Sequence, residues 1–188
     1  MLPWGHAALG YVLYSLYARH RYGRPPVGLT VFALGIGTQI PDLIDKPFTW
    51  TIPLLPYGRS LGHSLFVLGA LCGLLWLYFQ HPDQRALTSA FGIGYSSHLV
   101  GDAIGPVVYG EYANLGYLLW PITKVPAEGS TRSFLAFFLN LTLTPLLWFG
   151  VGLTVVAFGL WIADGMPGVR DLIWGPKTTS RTQSVQDK

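Results

Sequence analysis

Long uncharged stretches constrain this chain more than anything else in its sequence. Five apolar segments are read: about Leu2 to Ala18, Val27 to Asp45, Leu61 to Phe79, Ala86 to Ile104, and Phe134 to Ala163. A bilayer core of about 30 Å takes about 20 helical residues at 1.5 Å each. The third, fourth and fifth segments reach that length. The first two are shorter and carry polar groups at one end, which places that end at headgroup depth. Of 188 residues only 12 are Lys or Arg and 9 Asp or Glu, or 11% charged, against roughly 25% in an ordinary soluble domain. A chain so poor in charge is neither disordered nor able to cover a water-soluble globule. The expected fold is all-α: a polytopic integral membrane helical bundle of about five transmembrane helices. It forms one membrane-embedded domain over 1–174, followed by a polar, disordered tail over 175–188.

The breaks between segments fit this reading. Arg19 to Pro26 is a basic, Pro-terminated turn. Lys46 to Ser60 holds Pro47, Pro53 and Pro56 and is expected to be a loop. His81-Pro82-Asp83 is a tight polar turn. Gly105 to Ser133 is long for a loop, so it is expected to cover something. Pro145 is expected to kink the fifth helix. The first basic residue, Arg19, lies behind the first apolar segment, so no cleavable leader is expected. The lone Cys72 excludes a disulfide framework and a thiolate metal site within one chain. With the N-terminus outside, eight Lys and Arg face the cytoplasm and four face out. That bias orients the chain N-out and C-in, in a cell (inner or plasma) membrane. The net charge of +3 is too diffuse to argue for nucleic acid.

Ionisable groups inside apolar segments are costly and each needs a reason. Here they are His6 at the start of the first segment, Asp42 and Asp45 at the end of the second, His63 at the start of the third, and His98 and Asp102 near the end of the fourth. An up-and-down thread brings those four ends to the same side of the membrane. His98 and Asp102 are i and i+4, on one helix face. Asp42 and Asp45 are i and i+3. His63, His98 and Asp102 make a three-ligand catalytic metal site with one position left for water. His6 with Asp42 or Asp45 holds a second ion or supports the first. Imidazole plus carboxylate suits zinc, manganese or iron, and a carboxylate beside the metal is a candidate general base.

Each residue also has a plainer reading. A lone intramembrane His is often a hydrogen-bonded structural group. Asp42 after Pro41 suits a helix end, and Asp102 suits a buried ion pair with Arg59. All of these would have to hold together at one depth. Arg59, four residues before His63, is placed to grip a phosphate or to snorkel at the interface. Ser64 has no base placed for it. His20 and His81 sit in polar turns on the opposite side and are expected to be solvated. Cys72 and the glycines of the third and fourth segments suit helix packing, and Asn140, Thr142 and Thr144 suit hydrogen bonding between helices. Glu111 and Glu128 are loop residues on the side of the cluster.

The ordered set His6, Pro41-Asp42, Arg59-x-x-x-His63-Ser64, His98-x-x-x-Asp102 and Trp120-Pro121 resembles the YdjM-type membrane-bound metal-dependent hydrolases, some of them described as LexA-regulated. The resemblance spans roughly residues 4–122. That family tends to show Pro-Asp-x-Asp, whereas here the second carboxylate falls one residue later, at Asp45. It tends to show Arg-Gly-x-Thr-His-Ser, whereas Ser60 and Gly62 occupy the Gly and Thr positions. A Thr that often follows its His-x-x-x-Asp motif has Ile104 and Gly105 nearby instead. The order of ligands is also similar, more weakly, to the zinc-dependent phospholipase C and single-strand nuclease group, but no His follows His98 to complete that group's cluster.

The resemblance implies a metal-dependent hydrolase acting on a phosphoester or lipid-like substrate. The metal ligands are then His6, Asp42, His63, His98 and Asp102, around one or two divalent ions, most simply zinc. The catalytic residues are Asp42 or Asp45 as proton acceptor and Arg59 as the grip on an anionic substrate. The partners are the bilayer and a small-molecule or lipid substrate, without nucleic acid. Two rival functions use the same cluster: a haem carrier with His63 and His98 as axial ligands, and a metal or proton transporter, which needs polar groups deeper in the bundle than Thr38, Gln39 and Asn140.

Overall fold

The first helix, α1, runs Pro3–Tyr22. Pro3 opens it with a φ already suited to the first turn. Gly23 closes it at φ +64°, its N–H donating to the Arg19 carbonyl at 3.1 Å, a left-handed cap that favours glycine. The second helix, α2, runs Leu29–Trp50 through Pro41 and Pro47. The expected loop from Lys46 therefore starts five residues late. Pro47 gives up one backbone bond but does not end the helix, and beyond it the Thr49 hydroxyl donates to the Tyr57 carbonyl at 2.8 Å.

The third helix, α3, is Leu65–Tyr78, N-capped by the Ser64 hydroxyl, which accepts from the Phe66 N–H at 3.2 Å. His63 thus stands in the turn before the helix and not in its first turn. The fourth helix, α4, is Pro82–Val108, longer than expected at both ends. A 3-10 helix over Tyr112–Leu119 follows. Next come α5, Pro145–Ala163, and the short α6, Val169–Trp174. Pro145 opens α5 instead of kinking it: Thr144 caps the helix and accepts from the Leu147 N–H at 3.2 Å, and the N1 position needs no N–H donor.

The structure, a computed structural model, describes residues 1–52, 54–55, 57–124, 139, 142 and 144–175. The start of the fifth apolar segment at 134–138, Glu128, Asn140 and the tail over 176–188 lie outside the described residues. Those described are all-α, without strands. Among them one helix, α5, is long and apolar enough to cross a membrane. At 14 residues, α3 is about 21 Å long and falls short. α1, α2 and α4 are long but carry too many polar residues to pass on hydropathy, because their polar faces build the cluster described below. Of the about five transmembrane helices expected from the sequence, one is marked by length and hydropathy among the described residues.

The core lies between α2 and α4, with α1 against both and α5 outside α1. One cluster joins Tyr11, Tyr14, Ala18, Leu34 and Ala90, and a second joins Phe91, Tyr95, Leu99 and Tyr117. α2 and α4 cross at backbone contact. A Cβ on Gly37 would collide with the Phe91 carbonyl, and one on Gly94 with the Leu34 carbonyl. α5 runs parallel to α1: Gly5 lies against Gly150 at one end, and at the other the buried Asp164 carboxylate accepts from Tyr11 Oη at 2.8 Å, Ser15 Oγ at 2.9 Å and Arg19. The outer faces expose Leu74, Leu77, Trp148, Val155 and Phe158, a surface suited to lipid and unsuited to water.

Candidate metal centre

The close crossing of α2 and α4 sets the geometry of the site. It brings the Thr38 carbonyl to 2.7 Å from His98 Nδ1. A carbonyl only accepts, so His98 carries its proton on Nδ1 and turns the lone pair of Nε2 into the bundle. His63 is held the same way by another partner. Its Nδ1 lies 2.7 Å from Asp45 Oδ2, and Asp45 also accepts from the Ser60 N–H at 2.7 Å and the Gly62 N–H at 2.8 Å. Asp45 is fully buried and spends its oxygens on holding this turn. It stands behind His63, in the position of an outer carboxylate that orients a ligating imidazole.

With both Nδ1 protons placed, the two Nε2 atoms face each other at 3.1 Å. Two lone pairs at that distance repel unless a shared proton or a metal cation lies between or beside them. Two carboxylates complete the ring. Asp42 Oδ1 is 3.6 Å from His63 Nε2 and 3.7 Å from His98 Nε2. Asp102 Oδ2 is 3.4 Å and 3.8 Å from the same atoms. Ligand atoms ~2.1 Å from a tetrahedral ion stand ~3.4 Å apart, so each carboxylate's separations from the two nitrogens suit a shared cation. The sequence-predicted trio His63, His98 and Asp102 meets at this point, and Asp42 joins it.

His6 approaches from α1. Its ring stacks on His98 with centroids 3.8 Å apart, and its Nε2 is 3.2 Å from Asp102 Oδ1. Gly101 makes room: a Cβ there would stand 3.0 Å from His6 Nδ1. His6 is buried, its Nε2 paired with Asp102 and its Nδ1 without a hydrogen-bond partner among the described residues, a costly arrangement for an imidazole unless that nitrogen serves as a ligand. Two ligand groupings result among the described residues, Asp42 with His63 and His98, and His6 with His98 and Asp102. Imidazole nitrogen and carboxylate oxygen without thiolate suit zinc, manganese or iron.

Two basic side chains complete the charge pattern. Arg59 Nε donates to Asp102 Oδ2 at 2.8 Å, so the ion pair allowed by the sequence is formed. Lys46, one turn beyond Asp42 on α2, donates to Asp42 Oδ2. The amino group of Met1 also lies 2.9 Å from Asp102 Oδ1. The long loop does cover the site over its 3-10 helix. Tyr117 packs edge-on to His63, with centroids 5.8 Å apart, and donates to the Leu99 carbonyl at 3.1 Å. The Ser64 hydroxyl donates to the Trp120 carbonyl at 2.7 Å, which occupies it as a structural tie. His20 and His81 are exposed and far from the cluster in the chain's fold. Glu111 is exposed and accepts from Asn114 Nδ2.

Sequence reasoning missed three contributors. Lys46 was visible as an i+4 partner of Asp42. Tyr117 carried no signal beyond the length of its loop. The Thr38 carbonyl is backbone, and no residue type announces it.

A comparison with curated proteins and with solved structures returns no match. The family profile described as YdjM inner membrane protein covers residues 1–170, a stretch that holds α1 to α5 and every candidate ligand named above, and on that match the chain belongs to the YdjM inner membrane protein family.

Proposed function

We propose that the protein is a multi-pass membrane hydrolase with a metal centre at the outer end of its bundle. Its substrate class is a phosphoester or a lipid-like ester, as the resemblance implies. The observation that carries the reading is the pair of facing Nε2 atoms with both Nδ1 protons already committed. His63, His98, Asp42 and Asp102 would hold the ion, most simply zinc, and His6 would share Asp102 or hold a second ion. A divalent ion there supplies a low-pKa water and polarises the oxygen of the scissile group.

The protein's own groups do the rest. Asp42 keeps 11% of its side chain exposed, against 4% for Asp102 and 0% for Asp45. It is therefore the carboxylate that meets incoming water and takes its proton. Asp45, fully engaged behind His63, acts as a positioning residue in this reading. Tyr117 and the turn at Trp120 keep bulk water off the imidazoles.

A haem carrier is disfavoured by the same geometry. Axial imidazoles stand in line on opposite faces of the porphyrin, about two ~2 Å bonds apart, whereas these nitrogens are 3.1 Å apart with rings at 64°. For a transporter, the buried polar groups nearest the cluster, Thr38, Gln39 and Ser97, donate to backbone carbonyls.

Elemental analysis of the detergent-purified protein tests the proposal. A stoichiometric divalent ion is expected in the wild type and its loss in His98→Ala, with helical content unchanged by circular dichroism. No ion in the wild type, or an ion retained in His98→Ala, would sink the assignment.

A further inference from the structure

Two cations flank the centre, each more exposed than its imidazoles. The imidazoles of His63 and His98 are fully buried, whereas Lys46 is 17% and Arg59 34% exposed. Each is tied to a ligand carboxylate: Lys46 to Asp42 and Arg59 to Asp102. Those carboxylates approach the facing nitrogens from the two branches of the ligand set. Lys46 and Arg59 therefore bracket the centre, each one carboxylate away from it. Lys46 is steered by the Trp50 ring, 5.6 Å from its Nζ, and Arg59 by the turn that Asp45 holds through Ser60 and Gly62.

We propose that Lys46 and Arg59 are the two arms of a phosphate-binding mouth. The group presented to the centre is then a phosphate, held by a planar guanidinium on one side and a point ammonium on the other. This inference rests on the metal-centre reading above and names its substrate class. Three features argue for it. A tetrahedral dianion matches two cations on opposite sides better than a neutral ester carbonyl does. An ion bound by Asp42 and Asp102 would offset their negative charge and make the mouth net positive toward an incoming anion. The same end exposes Leu43, Leu61, Leu119 and Ile122, so a phosphate carried on an acyl chain and a free phosphate both have a path to it.

The test is calorimetric binding to the zinc-loaded protein in detergent, with metal content measured first. The probes are inorganic phosphate and dioctanoyl phosphatidic acid, titrated into wild type, Lys46→Gln, Lys46→Arg and Arg59→Gln. Arg24→Gln, in the turn at the opposite end of α1, serves as control. The proposal expects stoichiometric zinc in all five proteins. Phosphate affinity should fall about tenfold or more in each Gln variant of the mouth, recover in Lys46→Arg, and stay unchanged in Arg24→Gln. Tighter binding of the lipid than of inorganic phosphate identifies a lipid headgroup as the source, and equal binding identifies free phosphate. Unchanged affinity in Lys46→Gln and Arg59→Gln with zinc retained would overturn the mouth while leaving the metal centre intact. Loss of zinc in either variant would overturn it too, by showing that these cations serve the ligand carboxylates. Absence of zinc from the wild type fails the earlier reading, and does so before any phosphate is added.

Discussion

Asp45 shows how far a residue's neighbours decide its chemistry. By type and spacing it is interchangeable with Asp42, three positions earlier on the same face of α2. In the fold, Asp42 reaches the facing nitrogens and keeps an exposed edge, whereas Asp45 accepts from two backbone N–H groups and from His63 Nδ1. The displacement of this carboxylate by one position from the family's usual Pro-Asp-x-Asp is consistent with that different task. Asp45→Asn tests it with little change of shape. The amide must place its NH2 toward at least one donor, leaving a buried donor without an acceptor. Metal affinity is expected to fall by about 10–100-fold and stability by about 1–3 kcal/mol. Competition against a chromophoric chelator and thermal unfolding in detergent read the two effects. A variant that binds metal as tightly as wild type would show that Asp45 does not orient His63. The cluster of His6, Asp42, His63, His98 and Asp102 was readable because ionisable groups stand out against an apolar background. The division of labour between Asp42 and Asp45 was not, because it depends on where the turn from 57 to 64 lays its N–H groups.

The helices were readable as apolar runs, but their ends and their closest approaches were not. Pro47 looked like a boundary and lies inside α2, whereas Pro145 looked like a kink and lies at the first position of α5. Each is decided by whether the proline's missing N–H falls where a partner was needed. The approach of α2 to α4 was hidden in two of many glycines. Gly37 and Gly94 matter because each faces the backbone of the other helix, whereas Gly69 and Gly73 on α3 face open space. Gly94→Ala drives a Cβ into the Leu34 carbonyl, so the helices must separate. That moves the Thr38 carbonyl away from His98 Nδ1 and frees the imidazole to turn. A loss of about 1–3 kcal/mol is expected, together with weaker metal binding, while Gly73→Ala leaves both unchanged. Equal metal affinity in Gly94→Ala and Gly73→Ala would refute the link between helix approach and ligand orientation.

At the scale of the whole molecule, a surface rich in exposed Leu, Val, Phe and Trp surrounds a polar centre confined to one end. Composition made the membrane environment readable. Hydropathy marks α5 alone as long and apolar enough to cross, because a helix that carries a buried polar site on one face lacks the uniform apolar signature of a lipid-exposed span. The arrangement of ends makes a sharper statement. α1 and α5 run parallel, and the turn at Arg19 to Pro26 lies at the end opposite the centre, beside the start of α4 and Asp164. The centre and that turn should therefore sit on opposite faces of the bilayer, with the more basic turn in the cytoplasm. Single-cysteine variants in a Cys72→Ser background can read this. Tyr112→Cys, at the 3-10 helix over the centre, is expected to react with a membrane-impermeant maleimide in intact spheroplasts. Arg24→Cys is expected to react only after permeabilisation. Both positions reacting from the same side would place the two ends of α1 on one face of the membrane. The bundle would then lie along the surface, and the alternation that brings the ligands together would no longer be a crossing of the bilayer. Labelling of Arg24→Cys alone in intact spheroplasts would instead keep the crossing and turn the centre toward the cytoplasm.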